Sequence, residues 1–248
     1  EFLDNPAFEL VVGDHCDKNV ISDALANITD VVILAGLVGD PITKKYPHES
    51  QKINDDGLHR VVDLLNNRSL NRVIFISTCS NYGLIEGGEL ADETFQLNPL
   101  SLYAKAKVTM ERTLIGLQGD VDYSPTVLRF ATAFGLAPRM RFDLTVSQFT
   151  RDMHMGREML VYDADTWRPY CHVKDFGDVI ERVLAAPADT VAFEIFNAGG
   201  DVNNFTKQMI VDTILEELPN AKVSYQKHGS DPRNYRVDFS KIRNQLGF

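Results

Sequence analysis

An α/β fold built on parallel strands is what this chain of 248 residues predicts. Two observations carry that expectation. Short apolar runs rich in β-branched residues recur along the sequence, and most are followed by a longer stretch whose apolar residues return at helical spacing. Strands that alternate with helices pair in parallel, because each helix carries the chain back across the sheet. The clearest run, Arg72-Val-Ile-Phe-Ile-Ser77, is a buried-strand pattern that ends in hydroxyl residues. Taken in order, strands are expected at residues 8–12, 31–35, 72–77 and 124–130, with helices at 48–66 and 102–117. From about Gly135 the pattern changes to a Pro/Arg-rich loop, a helix over 144–155, a strand over 158–161 and a helix over 173–185. A strand at 194–197, a helix at 206–218, a strand at 222–225 and a helix from Ser240 complete the chain. No internal repeat interrupts this order.

Composition removes several classes of function. With 44% hydrophobic and 24% charged residues there is enough apolar material for a substantial core, and no run approaches the length that spans a bilayer. A net charge of −10 argues against a nucleic-acid partner and for small molecules, although a local group of arginines would still hold a phosphate. Cys16, Cys79 and Cys171 are too few and scattered for a disulfide framework, no secretory leader is visible, and the setting expected is cytoplasmic. The sequons at Asn27, Asn67 and Asn204 then read as accidental. No metal is expected. The histidines and cysteines show no Cys-x-x-Cys or His-Glu-x-x-His spacing, and the neighbours His15-Cys16 and Cys171-His172 would point to opposite faces of a strand.

Chemistry gathers around Tyr103 and Lys107, which their four-residue spacing stacks on one helix face. A phenol ionises near pH 10, and a fixed positive charge beside it favours the phenolate. Such pairs are common on surface helices and carry little weight alone. The hydroxyls of Ser77 and Thr78 add to it, since in an open parallel sheet ligands bind at the carboxyl ends of the strands.

Together these residues resemble the Ser/Thr, Tyr, Lys set of the extended short-chain dehydrogenase/reductases, the nucleotide-sugar-modifying epimerase/dehydratase branch. Further motifs appear in the family's order. Val11-Val-Gly-Asp14 is similar to the strand end whose Asp approaches adenine, residues 31–40 to the strand and loop beside the cofactor, and Asn54-Asp-Asp-Gly57 to the Asn-x-x-Gly of the next helix. Leu128-Arg-Phe-Ala-Thr-Ala-Phe-Gly135 resembles the strand beside the nicotinamide, and Arg168-Pro-Tyr-Cys-His-Val-Lys-Asp175 a substrate-side signature. One part is absent: no Gly-x-x-Gly-x-x-Gly turn opens the chain, so a truncated record is expected rather than a naturally short protein.

The resemblance implies a Rossmann-like doubly wound parallel sheet lacking its N-terminal Gly-rich βαβ segment. Residues 1–135 would form the dinucleotide-binding domain, with later returns to it, and residues 136–248 mainly a substrate-binding lobe interwoven with the first. The cofactor would be NAD, with NADP not excluded because the selecting residue precedes Glu1. Asp14, Leu34, Ala35, Gly36, Ser77, Tyr103, Lys107, Phe130 and Ala131 would hold it. Tyr103 would act as base with Thr78 sharing the same sugar oxygen, and Lys107 would lower the phenol pKa and reach the nicotinamide ribose. Thr78, Thr132, Arg139, Arg168 and Arg233 would meet the substrate, with Arg141 a further loop arginine beside it and the guanidinium forks suited to phosphate. Thr132 replaces the Asn of a family epimerase, and Trp167 is expected to serve packing.

The implied reaction is epimerisation of a nucleotide sugar. A reductase or dehydrogenase using the same residues is the alternative. A 4,6-dehydratase is less expected because Cys79 and Ser80 stand where that group has Asp-Glu. A silent dinucleotide sensor or scaffold would be the non-enzyme reading. Two copies would pair through residues 48–66 and 102–117, whose Val61, Leu64, Leu65, Val108 and Leu114 serve either that interface or the core.

Overall fold

A computed structural model describes residues 4–227 and 233–248 of the chain. Four parallel strands form the central sheet, here β1 (Asp30–Ile33), β2 (Arg72–Thr78), β3 (Ser124–Phe130) and β4 (Glu194–Ala198), side by side in that order. The register places Phe75 beside Val127 and Leu128 beside Phe196. Because strand side chains alternate between faces, the unbroken apolar run of β2 feeds two cores. Ile74, Ile76, Leu128 and Phe196 pack on one side with Phe176, Val179 and Val183 of the helix Val173–Ala185. Val73, Phe75 and Val127 pack on the other with Leu58, Val61, Leu65, Met110 and Leu114. Helices therefore cover both faces, as a doubly wound sheet requires.

Helix boundaries obey local chemistry. The helix Leu102–Gly116 begins where the Ser101 hydroxyl accepts the Ala104 N–H at 3.1 Å, satisfying one of the orphan donors of its first turn. Residues 47–65 are helical throughout, but the stretch Gln51–Gly57 is wound as a π-helix between Pro47–Ser50 and Leu58–Leu65. Val61, Leu65, Val108 and Leu114 are all buried within the single chain, so they belong to its core.

A third cluster, Phe149, Met153, Met159, Val161, Tyr170, Ile210 and Val211, lies under the helices Thr145–His154 and Lys207–Glu217. The strand Met159–Tyr162 pairs in parallel with Val223–Gln226 there.

Two sequence expectations need correction. Residues 8–12 form no strand: among the described residues the segment enters no ladder, and Leu10, Val11 and Val12 are exposed. Apolar alternation proposes a strand, but only a hydrogen-bonded neighbour makes one. Conversely, Trp167–His172 is a strand that Pro169 hides from pattern reading. It pairs antiparallel with Asn204–Thr206 through residues 167–169 and in parallel with Thr132–Phe134 through residues 170–172. Pro169, which has no N–H to give, sits where the strand changes partner.

Candidate functional site

Strand β2 delivers two hydroxyls in opposite directions. Thr78, last in the strand, accepts the Ser80 N–H on Oγ1 at 3.1 Å and so caps the short turn Cys79–Tyr82. Ser77 is 2% exposed and donates inward to the Glu111 carboxylate, in a very short contact. The hydroxyl expected to meet the cofactor is thus committed to a buried cluster. Glu111 also accepts from Asn81 Nδ2 at 2.8 Å and from Arg129 Nη2 at 2.8 Å, and Arg129 Nη1 reaches the Tyr82 hydroxyl at 2.9 Å. These bonds fasten the helix carrying Tyr103 and Lys107 to β2 and β3.

Lys107 is buried, and its Nζ donates to the Ile76 carbonyl at 2.7 Å. It lies 4.5 Å from the centre of the Phe75 ring and 5.8 Å from that of Tyr103. Burial lowers its pKa to about 8, with the Glu111 carboxylate pulling the other way. The Tyr103 phenol is pushed well above its usual value, first by burial and then by Asp40, with Arg141 opposing. The Lys107 ammonium is bonded to a strand carbonyl, and the influences on the phenol are burial, Asp40 and Tyr235, with Arg141 opposing. A buried ammonium takes the nearest acceptor, here a strand carbonyl, and the phenol answers to desolvation and to a carboxylate across the cleft.

Contacts beyond the strand ends bring together residues far apart in sequence. Asp40, in the first turn of the helix Asp40–Lys45, pairs with Arg233 at 2.7 Å from Oδ2 to Nη1. The Arg168 guanidinium sits 5.5 Å from the centre of the buried Tyr235 ring, whose hydroxyl lies 3.4 Å from Ser80 Oγ. Arg141 is clamped by both oxygens of Asp143 at 2.7 Å, while Arg139 is exposed on the same loop. Asp40, Ser80 and Tyr235 do not stand out in the sequence. Each lies in or beside a recognisable motif, yet nothing local distinguishes a carboxylate or a phenol that faces a cleft from one that faces solvent. A second hollow of about 500 Å3 opens beside Tyr235, bordered by residues 84–89 and Trp167. The Trp167 ring is covered by the Arg236 guanidinium at 5.2 Å, which fits its expected packing role.

Most of the residues expected to meet the cofactor lie at or just beyond strand ends, whereas Asp14 sits in a turn. Leu34 is 61% exposed beyond β1, and next come Ala35 and Gly36, the glycine at φ +146°. The loop is held by Asn54, buried in the π-helical stretch: its Oδ1 accepts the Leu37 N–H at 2.7 Å and its Nδ2 donates to the Leu37 carbonyl at 2.9 Å. A Cβ on Gly36 would stand 3.0 Å from Asn54 Oδ1, so a small residue keeps the clamp closed. Gly57 plays the matching part for the turn at residues 14–16, since a Cβ there would come within 2.7 Å of Cys16 Sγ. This accounts physically for Asn-x-x-Gly. Asp14 accepts the Cys16 N–H at 2.9 Å, which holds its carboxyl below the usual range. The Phe130 ring stacks on Phe176 at 3.8 Å, Ala131 donates its N–H to the Ala198 carbonyl at 3.0 Å, and Thr132 opens the short strand beside Tyr170.

Asp14, His15 and Cys16 bring three potential metal donors within 4.8 Å of one another. The face-alternation argument fails for His15-Cys16 because these residues form a turn, not a strand. Two of the donors are occupied: His15 Nε2 donates to the Ile53 carbonyl at 3.1 Å and Cys16 Sγ to the Lys52 carbonyl at 3.6 Å.

Known proteins resemble this chain in sequence and fold. The model of the NAD dependent epimerase/dehydratase family matches residues 2–199. The chain belongs to this family. It is 26% identical over 251 residues to a dTDP-glucose 4,6-dehydratase of an Actinoplanes species, covering 98% of this chain and 75% of the relative. It is 24% identical over 259 residues to a UDP-glucose 4-epimerase of Rhizobium leguminosarum bv. trifolii, covering 95% and 77%. Among solved structures, MoeE5 in complex with UDP-glucuronic acid and NAD superposes with a TM-score of 0.84 at 26% identity, over 96% of this chain and 79% of that one. The UDP-glucuronic acid 4-epimerase from Bacillus cereus gives 0.87 at 21% identity over 99% and 77%, a likeness of fold.

This member of the epimerase/dehydratase family is an NAD-dependent enzyme. Its residues fit that cofactor: the small residues Ala35 and Gly36 follow β1, Gly36 holds a backbone shape other residues avoid, and a buried ammonium lies under the end of β2. No helix among the described residues is long and apolar enough to cross a membrane. Replacing Asn54 with Ala orphans both backbone groups of Leu37, and is expected to cost about 1–3 kcal/mol of stability and weaken NAD binding. Thermal melts with and without NAD measure both; an unchanged response to NAD refutes the clamp.

Proposed function

We propose that this enzyme is a nucleotide-sugar epimerase in which Tyr103, as phenolate, takes the proton from a sugar hydroxyl. NAD, when bound, supplies the hydride acceptor at the sugar carbon. Thr78 donates its O–H to the same sugar oxygen, and Lys107 offers positive charge beneath it. Arg233 and Arg168 hold the diphosphate, with the Tyr235 hydroxyl and Ser80 beside them. Tyr103 releases its proton back to the substrate oxygen after the sugar has turned, so the catalyst returns to its starting state.

The two residues after Thr78 are the observation that carries epimerisation over dehydration. Elimination of water needs a proton donor there, and this chain has Cys79 and Ser80. The Cys79 thiol is buried, donates to the Arg129 carbonyl at 3.1 Å and is pushed far above its usual pKa by desolvation. It cannot serve as an acid toward the cleft. A nucleotide-sugar reductase with the same residues is the second reading, favoured by the same triad. Pairing of two copies through residues 48–66 and 102–117 belongs to this proposal.

Incubation with UDP-glucose, UDP-glucuronic acid and dTDP-glucose tests it. The expected result is an inverted sugar centre with no net change in nicotinamide absorbance. Stoichiometric reduced nicotinamide would make the enzyme an oxidoreductase, and a 4-keto-6-deoxy product would make it a dehydratase.

A further inference from the structure

We infer that Asp40 is an internal latch on the anion site: its carboxylate occupies the Arg233 guanidinium and must yield it to a phosphate oxygen when substrate binds. The inference rests on the reading of Arg233 as a phosphate ligand and adds a residue that no part of that reading assigns.

Three observations carry it. The first is geometric: Arg233 Nη1 and Asp40 Oδ2 stand 2.7 Å apart, both about one-quarter exposed, so the pair is partly shielded but open to an incoming ligand. The second is topological. Asp40 closes the loop after β1 on the cofactor side, while Arg233 leads into the tail segment that carries Tyr235. Their bond therefore ties the two walls of the cleft together. The third is chemical, since a carboxylate and a phosphate oxygen offer a guanidinium the same acceptor geometry and only one of them can take a given N–H. Asp40 Oδ1 is buried and makes no hydrogen bond, so the carboxylate is held by one arm only.

Displacement has a second effect. Asp40 is the charged group that helps burial keep the Tyr103 proton in place, with Arg141 opposing and Tyr235 adding to it. Turning the carboxylate away from the cleft removes that contribution as the substrate arrives. The latch thus makes anion binding and readiness of the base parts of one movement. Its cost is affinity, because a ligand that must break an existing pair binds more weakly than one that meets a free fork.

The test uses UDP and inorganic pyrophosphate as probes, titrated calorimetrically into NAD-loaded wild-type, Asp40→Asn and Arg233→Gln proteins. Asp40→Asn is expected to bind UDP about tenfold more tightly, and Arg233→Gln about tenfold more weakly, the size of one charge-assisted contact. The ascending limb of kcat/KM in Asp40→Asn is expected to move to lower pH, because the charge that helps keep the phenol protonated is gone. Unchanged or weaker UDP binding by Asp40→Asn overturns the latch and makes the pair a support that orients Arg233. Unchanged binding by Arg233→Gln instead overturns the phosphate reading of Arg233. Circular dichroism of both variants shows that a loss is not unfolding.

Discussion

Tyr103→Phe is expected to lower turnover by about a hundredfold or more while leaving the fold and nucleotide binding intact, the usual worth of a positioned proton transfer. The change removes one oxygen. The ring stays, so the packing of the helix Leu102–Gly116 and its Ser101 cap are untouched. The same substitution exposes the pH behaviour of the site. Burial and Asp40 push the phenol toward its protonated form, so kcat/KM is expected to climb with pH as phenolate becomes accessible. Lys107 sets the opposing limit. Burial has lowered its pKa to about 8, and as pH rises through that value the ammonium gives up the positive charge proposed to lie beneath the sugar oxygen. The wild-type profile should therefore bend over above about pH 8, and the residual rate of Tyr103→Phe should lose the ascending limb. Near wild-type turnover in that variant removes Tyr103 from the mechanism.

Arg129→Met is expected to cost about 3–5 kcal/mol of folding stability, the range for breaking a buried ion pair from one side. Arg129 and Glu111 are 2.8 Å apart with side chains 3% and 2% exposed, and Glu111 would lose its guanidinium partner while still accepting from Ser77 and Asn81. An unpaired carboxylate in that position is the penalty, more than the lost attraction. Removing both charges tests this account: Arg129→Met with Glu111→Leu is expected to regain much of the loss. Urea unfolding of the two variants measures it. A single variant within about 1 kcal/mol of wild type would mean that the cluster does not hold the helix to the sheet.

How far the sequence reached depends on which physical signal each feature carries. The β2 run and the helix at residues 102–116 were legible because burial on two faces and helical spacing leave periodic traces. Tyr103, Lys107 and Thr78 were legible through their spacing and their place at a strand end. Residues 8–12 misled because alternation describes a strand's surface and says nothing of a neighbour to pair with. Trp167–His172 stayed hidden because Pro169 is acceptable only where a strand exchanges partners, and that is a property of the sheet. Ser77 shows the same limit at one residue. It is a hydroxyl beside Thr78 in sequence, yet the pleat turns it to Glu111 and away from the cleft.

Sequence alone determined the layered α/β architecture and the family, and named the candidates for proton transfer, because these depend on periodicity and short spacings along one element. Tertiary structure alone decided what each group faces. The partner of Lys107 is a strand carbonyl, that of Arg233 is Asp40, and the phenol of Tyr103 is governed by burial and a carboxylate across the cleft. Electrostatic environment is a sum over neighbours in space, and most of those neighbours lie tens of residues away along the chain.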